Sequence, residues 1–109
     1  MPPSSPFLLH TPSGERVPLV VDSPHSGMRW PADFAPAAPR EAILTTWDAF
    51  VDDLWSGAAD AGAVLLSAQF PRAYIDANRA ADDIDPVLLA TAWPAPLRPT
   101  AYTQRGMGL

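Results

Sequence analysis

The sequence predicts an α/β protein with a mixed sheet flanked by helices, and three stretches carry that expectation. Val17-Pro18-Leu19-Val20-Val21-Asp22 is an apolar, β-branched run that empties into Ser23-Pro24-His25-Ser26-Gly27. Trp47, Phe50, Val51, Leu54, Trp55 and Ala58 recur at helical spacing. Ala63–Ala68 is a second apolar run. Strand, helix and strand in this order make a βαβ unit.

The remaining elements follow in chain order. Residues 1–16 form a lead expected to be flexible, Pro/Ser-rich at its start, within which Phe7–His10 could make a short strand before a turn at Pro12-Ser13-Gly14. Residues 17–109 form one domain. Its first strand ends in a tight loop, the place where open α/β sheets bind ligands. Residues 31–40 are a Pro/Ala-rich connection. Thr45 or Thr46 is placed to cap the helix, with Asp48 in its first turn and Gly62 at its end. Ala73-Tyr74-Ile75-Asp76 reads as a third strand, and Asp85-Pro86 opens a short helical turn through Leu89. Gly106–Leu109 reads as the start of further structure rather than as an end.

Composition excludes several functions. The 109 residues carry a formal charge of −5 with seven basic residues, all of them Arg. A chain without basic runs lacks the footprint that holds nucleic acid or an anionic membrane. Cysteine is absent, which removes disulfides and thiolate metal sites. Any metal must be held by carboxylates and by His10 or His25. The first residues have neither the charge nor the apolar run of a signal peptide or anchor, so a cytoplasmic location is expected.

Three constellations could carry chemistry. His25, in a Pro/Gly loop past a strand, suits a metal ligand or general base, or it is a loop histidine with a local hydrogen bond. Asp48, Asp52 and Asp53 offer a carboxylate near a helix start, or simply a solvated acidic face. Asp76, Asn78 and Arg79 arrive together after Phe70-Pro71-Arg72. An Arg beside an Asn is a good receptor for a carboxylate, and the same residues are also ordinary turn formers. A His, an acid and an Asn-Arg pair delivered by different elements could converge on one crevice.

The stretches VVDSPHSG (20–27), TTWDAFVDDLW (45–55), FPRAYIDANR (70–79), DIDPVLL (83–89) and GMGL (106–109) together resemble the N-formylglutamate amidohydrolases. The resemblance runs from about Val17 to the last residue, and PHSG followed by YIDxNR is its specific part. It implies metal-dependent hydrolysis of N-formyl-L-glutamate to formate and L-glutamate, a step of histidine degradation. It also implies a fold related to the zinc carboxypeptidases and aspartoacylase, with the N-terminal part of that fold present here.

By the same resemblance His25 and Asp48 are metal ligands, for zinc or another divalent ion. Asn78 and Arg79 grip a substrate carboxylate, and Arg72 is a second anion contact. Position 28 is Met, so the compact HxxE ligand spacing of the zinc peptidases is absent. Family members extend well beyond Leu109, where a second His ligand and the general base are expected; His10 matches neither. The 109 residues alone should then bind zinc weakly, turn nothing over, and leave Trp47, Trp55, Leu65 and Leu66 partly uncovered. Two alternatives remain: a related metal-dependent deacylase of another N-acyl amino acid, and a non-catalytic module that binds glutamate-like dianions.

Overall fold

The computed structural model describes residues 5–109, so the first four residues of the lead lie outside the described part. The chain divides into two compact units, one ending at Ile75 and the other running from Asp76 to Leu109.

The first unit is built on a three-stranded sheet of β1 (Phe7–His10), β2 (Val20–Ser23) and β3 (Val64–Ala68) in the order β1-β3-β2. β1 runs antiparallel to β3, with Phe7 opposite Ala68 and His10 opposite Leu65. β2 runs parallel to β3, with Val20 opposite Val64 and Ser23 opposite Ser67. A parallel pair needs a long crossover, and residues 24–63 supply it. The sheet is therefore mixed and the βαβ unit is present. β1 lies inside the segment read as a lead, where it forms one edge of the sheet.

Side chains of paired residues share a sheet face. Leu8, His10, Val21, Ser23, Leu65 and Ser67 share one face by this register. The 3-10 turn at Ser56–Ala58 within the crossover contacts β3, and Leu65 is 2% exposed. Burying a leucine so completely contributes about 1.5–3 kcal/mol. The expectation that Leu65 would lack cover is therefore wrong: the chain's own residues bury it. Trp55 does stay half-exposed, and Phe7, Leu9 and Val20 on the opposite face are exposed as well.

The long helix expected from Thr45 onward is not formed. A short α1 (Arg40–Leu44) precedes it, beginning at the last residue of the 31–40 connection, and α2 covers Val51–Leu54 before a 3-10 turn at Ser56–Ala58. Thr45 and Thr46 do not cap α2: their hydroxyls donate back to Ala42 O and Ile43 O at 2.7 Å, closing α1. Residues 47 and 48 then bond elsewhere, and Phe50 adopts the left-handed conformation (φ 62°) that starts α2 afresh. Gly62 ends the helical stretch with φ 94°; a Cβ there would lie 2.6 Å from Glu15 O.

The third strand is also absent. Residues 71–79 turn instead, with Tyr74 N bonded to Pro71 O and Arg79 N to Asp76 O. An aromatic cluster holds the first of these turns: Phe34 lies 4.7 Å from Trp30 and 5.3 Å from Tyr74, and Phe70 lies 6.3 Å from Tyr74 between ring centroids.

The second unit has little regular structure: a 3-10 turn at Pro86–Leu88 and α3 (Ala101–Gln104). Buried Asp83 organises it. Its carboxylate accepts from Thr100 N and Thr100 Oγ1, both at 2.8 Å, and from the Thr103 hydroxyl. Its carbonyl accepts from Leu109 N at 2.8 Å. Thr100 Oγ1 in turn accepts from Tyr102 N and so caps α3.

Candidate functional site

The Ser23–Gly27 loop leaves the C-terminal end of β2, as expected, and is held from several sides. Ser23 Oγ and Ser26 Oγ lie 2.9 Å apart, and Ser26 Oγ donates to Asp48 O at 2.8 Å. Trp47 Nε1 donates to Ser26 O, and Asp48 N donates to His25 O. Gly27 crosses the end of β3 so closely that a Cβ would sit 2.4 Å from the Gln69 carbonyl carbon. These bonds explain why residues 47–48 leave the helical path: their polar groups serve the histidine loop.

His25 and Asp48 consequently meet. His25 Nδ1 lies 3.2 Å from Asp48 Oδ2, with the imidazole 8% and the carboxylate 50% exposed. With a proton on Nδ1 this is a hydrogen bond that orients the ring. With Nδ1 bare, both atoms offer lone pairs, and their separation is close to that of two ligands on one tetrahedral zinc ion, about 3.3 Å. A neutral imidazole and a carboxylate, one buried and one open to solvent, fit a divalent ion as two of its ligands. Among the described residues no group of three His, Cys, Asp or Glu is placed to hold a metal. Asp48 reaches this position from a loop, not from the first turn of a helix.

Arg72 follows buried Pro71 in the turn after β3 and is partly exposed. In the second unit Asp76 Oδ1 accepts from Asn78 N at 2.9 Å, an Asx turn that sets the Asn-Arg pair. Arg79 donates from Nε to Met107 O and from an Nη to Asn78 O, both at 2.9 Å. Its guanidinium lies 4.0 Å from the centroid of the Tyr102 ring. Tyr102, against which this guanidinium lies, was not singled out by the sequence reading. The one signal for it is the Gly106–Leu109 motif that follows four residues on, whose Met107 carbonyl holds the same guanidinium.

The sequence model of the family described as N-formylglutamate amidohydrolase matches residues 17–109. The chain belongs to this family. An N-formylglutamate deformylase of Pseudomonas aeruginosa is 38% identical over 69 residues, which are 62% of this chain and 26% of that protein. The crystal structure of an N-formylglutamate amidohydrolase from Ralstonia eutropha JMP134 is 50% identical with a TM-score of 0.89, over 95% of this chain and 37% of that one. The chain thus spans between a quarter and two-fifths of these two relatives. No helix among the described residues is long and apolar enough to cross a membrane.

Proposed function

We propose that this chain contributes the first part of an amidohydrolase site that cleaves N-formyl-L-glutamate to formate and L-glutamate. Family membership supports the reaction class, and the His25–Asp48 pair is the observation that carries the mechanism. In this reading His25 Nδ1 and Asp48 Oδ2 hold a divalent metal, and the fold is that of the zinc carboxypeptidases and aspartoacylase. Such an ion, when bound, lowers the pKa of a water and polarises a carbonyl.

The chain's own residues have three tasks. The Ser23–Gly27 loop, tied through Ser26 and Trp47, fixes the imidazole so that little order is lost when a ligand arrives. The Asp48 carboxylate faces solvent on one side and gives an entering ion a charged, accessible donor. Asn78 and Arg79 receive a substrate carboxylate, with the guanidinium plane preset by Tyr102 and Met107. Arg72, in the first unit, is an anion contact by the same family reading.

The same reading makes the substrate a small molecule rather than nucleic acid, consistent with the charge of −5, and places the step in cytoplasmic histidine degradation. A chimera tests it: this chain replaces the matching part of the Ralstonia eutropha amidohydrolase. Formate release from N-formyl-L-glutamate is expected, faster than from the N-acetyl and N-succinyl analogues, and lost with His25→Ala or a chelator. A folded chimera whose turnover ignores both would sink the proposal.

A further inference from the structure

The sheet face that carries Leu65 and Ser67 borders a second polar cavity within the first unit. Leu8, His10, Asp52, Asp53, Ser56, Leu65, Ser67 and Gln69 line about 150 Å³ between β1, β3 and α2. Ser67 is 2% exposed, and its hydroxyl has no hydrogen-bond partner among the described residues. A buried hydroxyl left without a partner is costly, so such a group marks a place where something else supplies one. It shares a sheet face with Leu8, His10 and Leu65, the side on which α2 places Asp52 and Asp53.

The walls select the ligand. Two carboxylates disfavour an anion. The described residues hold no set of three His, Asp or Glu close enough for a metal ion, so the acids suit a larger cation that donates hydrogen bonds. Leu8 and Leu65 add apolar surface beside them. We propose that this cavity binds a short alkylammonium group, its N–H donors shared between Ser67 Oγ and the acids of α2 and its alkyl part against Leu8 and Leu65. A glutamate-like molecule is excluded, because its carboxylates would meet Asp52 and Asp53. The cavity is therefore distinct in chemistry from the anion receptors proposed for the family reaction.

The test is a titration of the 15N-labelled chain with n-propylammonium, n-propanol and propionate, repeated in the chimera, where the relative's portion supports the fold. Saturable shifts at Ser67 and His10 are expected with propylammonium alone. Ser67→Ala and Asp52→Asn should each weaken binding on the order of tenfold. Ser67→Ala should also raise Tm without amine, because it deletes an unpartnered hydroxyl. Equal binding of propanol, or no saturable shift with any probe, overturns the proposal and leaves a cavity that water alone fills. Formate release by the chimera stays unchanged in Ser67→Ala, so this result is read separately from the proposed activity.

Discussion

Asp48 is bonded to His25 twice: its carboxylate oxygen lies 3.2 Å from Nδ1, and its amide N–H donates to the His25 carbonyl at 3.1 Å. The backbone bond fixes where the carboxylate starts, and the side-chain contact fixes where it ends. The pair is thus set by the fold of the chain itself.

Metal binding should depend on both members of the pair. The proposed pair is one ligand short of a usual catalytic zinc site, so the 109-residue chain should bind zinc weakly and release no formate. Asp48→Asn keeps the shape and removes the charge. It should lower zinc affinity by about 10- to 100-fold, as loss of a metal-site partner commonly does. Competition with a chromogenic chelator measures this, and equal affinity in both proteins would remove Asp48 from the ligand set.

Gly27 is required by space. Ala at this position places a methyl carbon 2.4 Å from backbone that belongs to the end of β3, so either the loop or the strand end must move. Gly27→Ala should destabilise by about 1–3 kcal/mol, as overpacking does. Gly14, where a Cβ meets nothing within 4 Å, is the control: Gly14→Ala should stay within about 0.5 kcal/mol. Urea midpoints compare the two. A neutral Gly27→Ala would mean that the loop does not cross β3 so closely.

The Tyr74 hydroxyl donates to both oxygens of Asp33, at 3.1 and 3.0 Å. That bond, partial burial and the carboxylate's charge together hold the phenol above its ordinary value of 10.0. A raised pKa contributes stability that is present below the unfolded value and disappears as pH rises through the folded one. Asp33→Asn should bring the phenol back toward its ordinary range. The absorbance of the phenolate, followed in a Tyr102→Phe background, reads this, and an unmoved curve would deny the bond.

The strands and the histidine loop were legible because their signals are local. β-branched runs ending in a Pro/Gly loop leave few alternatives, and β2, β3 and the 23–27 loop stand where the sequence put them. The helix and the third strand were not legible, for a tertiary reason. Helical spacing at 47–58 is genuine, yet Trp47 and Asp48 give their N–H groups to Ser26, His25 and the end of α1. Those bonds break the helix between two short pieces. At 73–76, buried Pro71 and the Asx turn of Asp76 outweigh the β-propensity of Tyr and Ile. His25 and Asp48 do meet, but the geometry that joins them was assigned to the wrong element. Tyr102 carried no motif of its own, and only the fold shows it under Arg79.

Acid should unfold the second unit through Asp83. The Thr103 hydroxyl bonds its carboxylate, Thr100 bonds it through N–H and hydroxyl, and Arg79 adds a favourable charge. These outweigh the opposing effect of burial and hold the carboxyl below its ordinary value of 3.8. On acidification the unfolded chain therefore takes up this proton first, and stability falls with pH. The contribution is fully present above the ordinary carboxylate value and is lost as pH drops through the lowered folded one. Asp83→Asn removes the titration and one acceptor. It should lower stability near neutral pH and flatten the dependence on pH between about 5 and 2. Urea midpoints across that range, read from amide resonances of Thr100 and Thr103, compare the unsubstituted chain with the variant. Two curves that run parallel through the acid range would show that other carboxylates drive the transition.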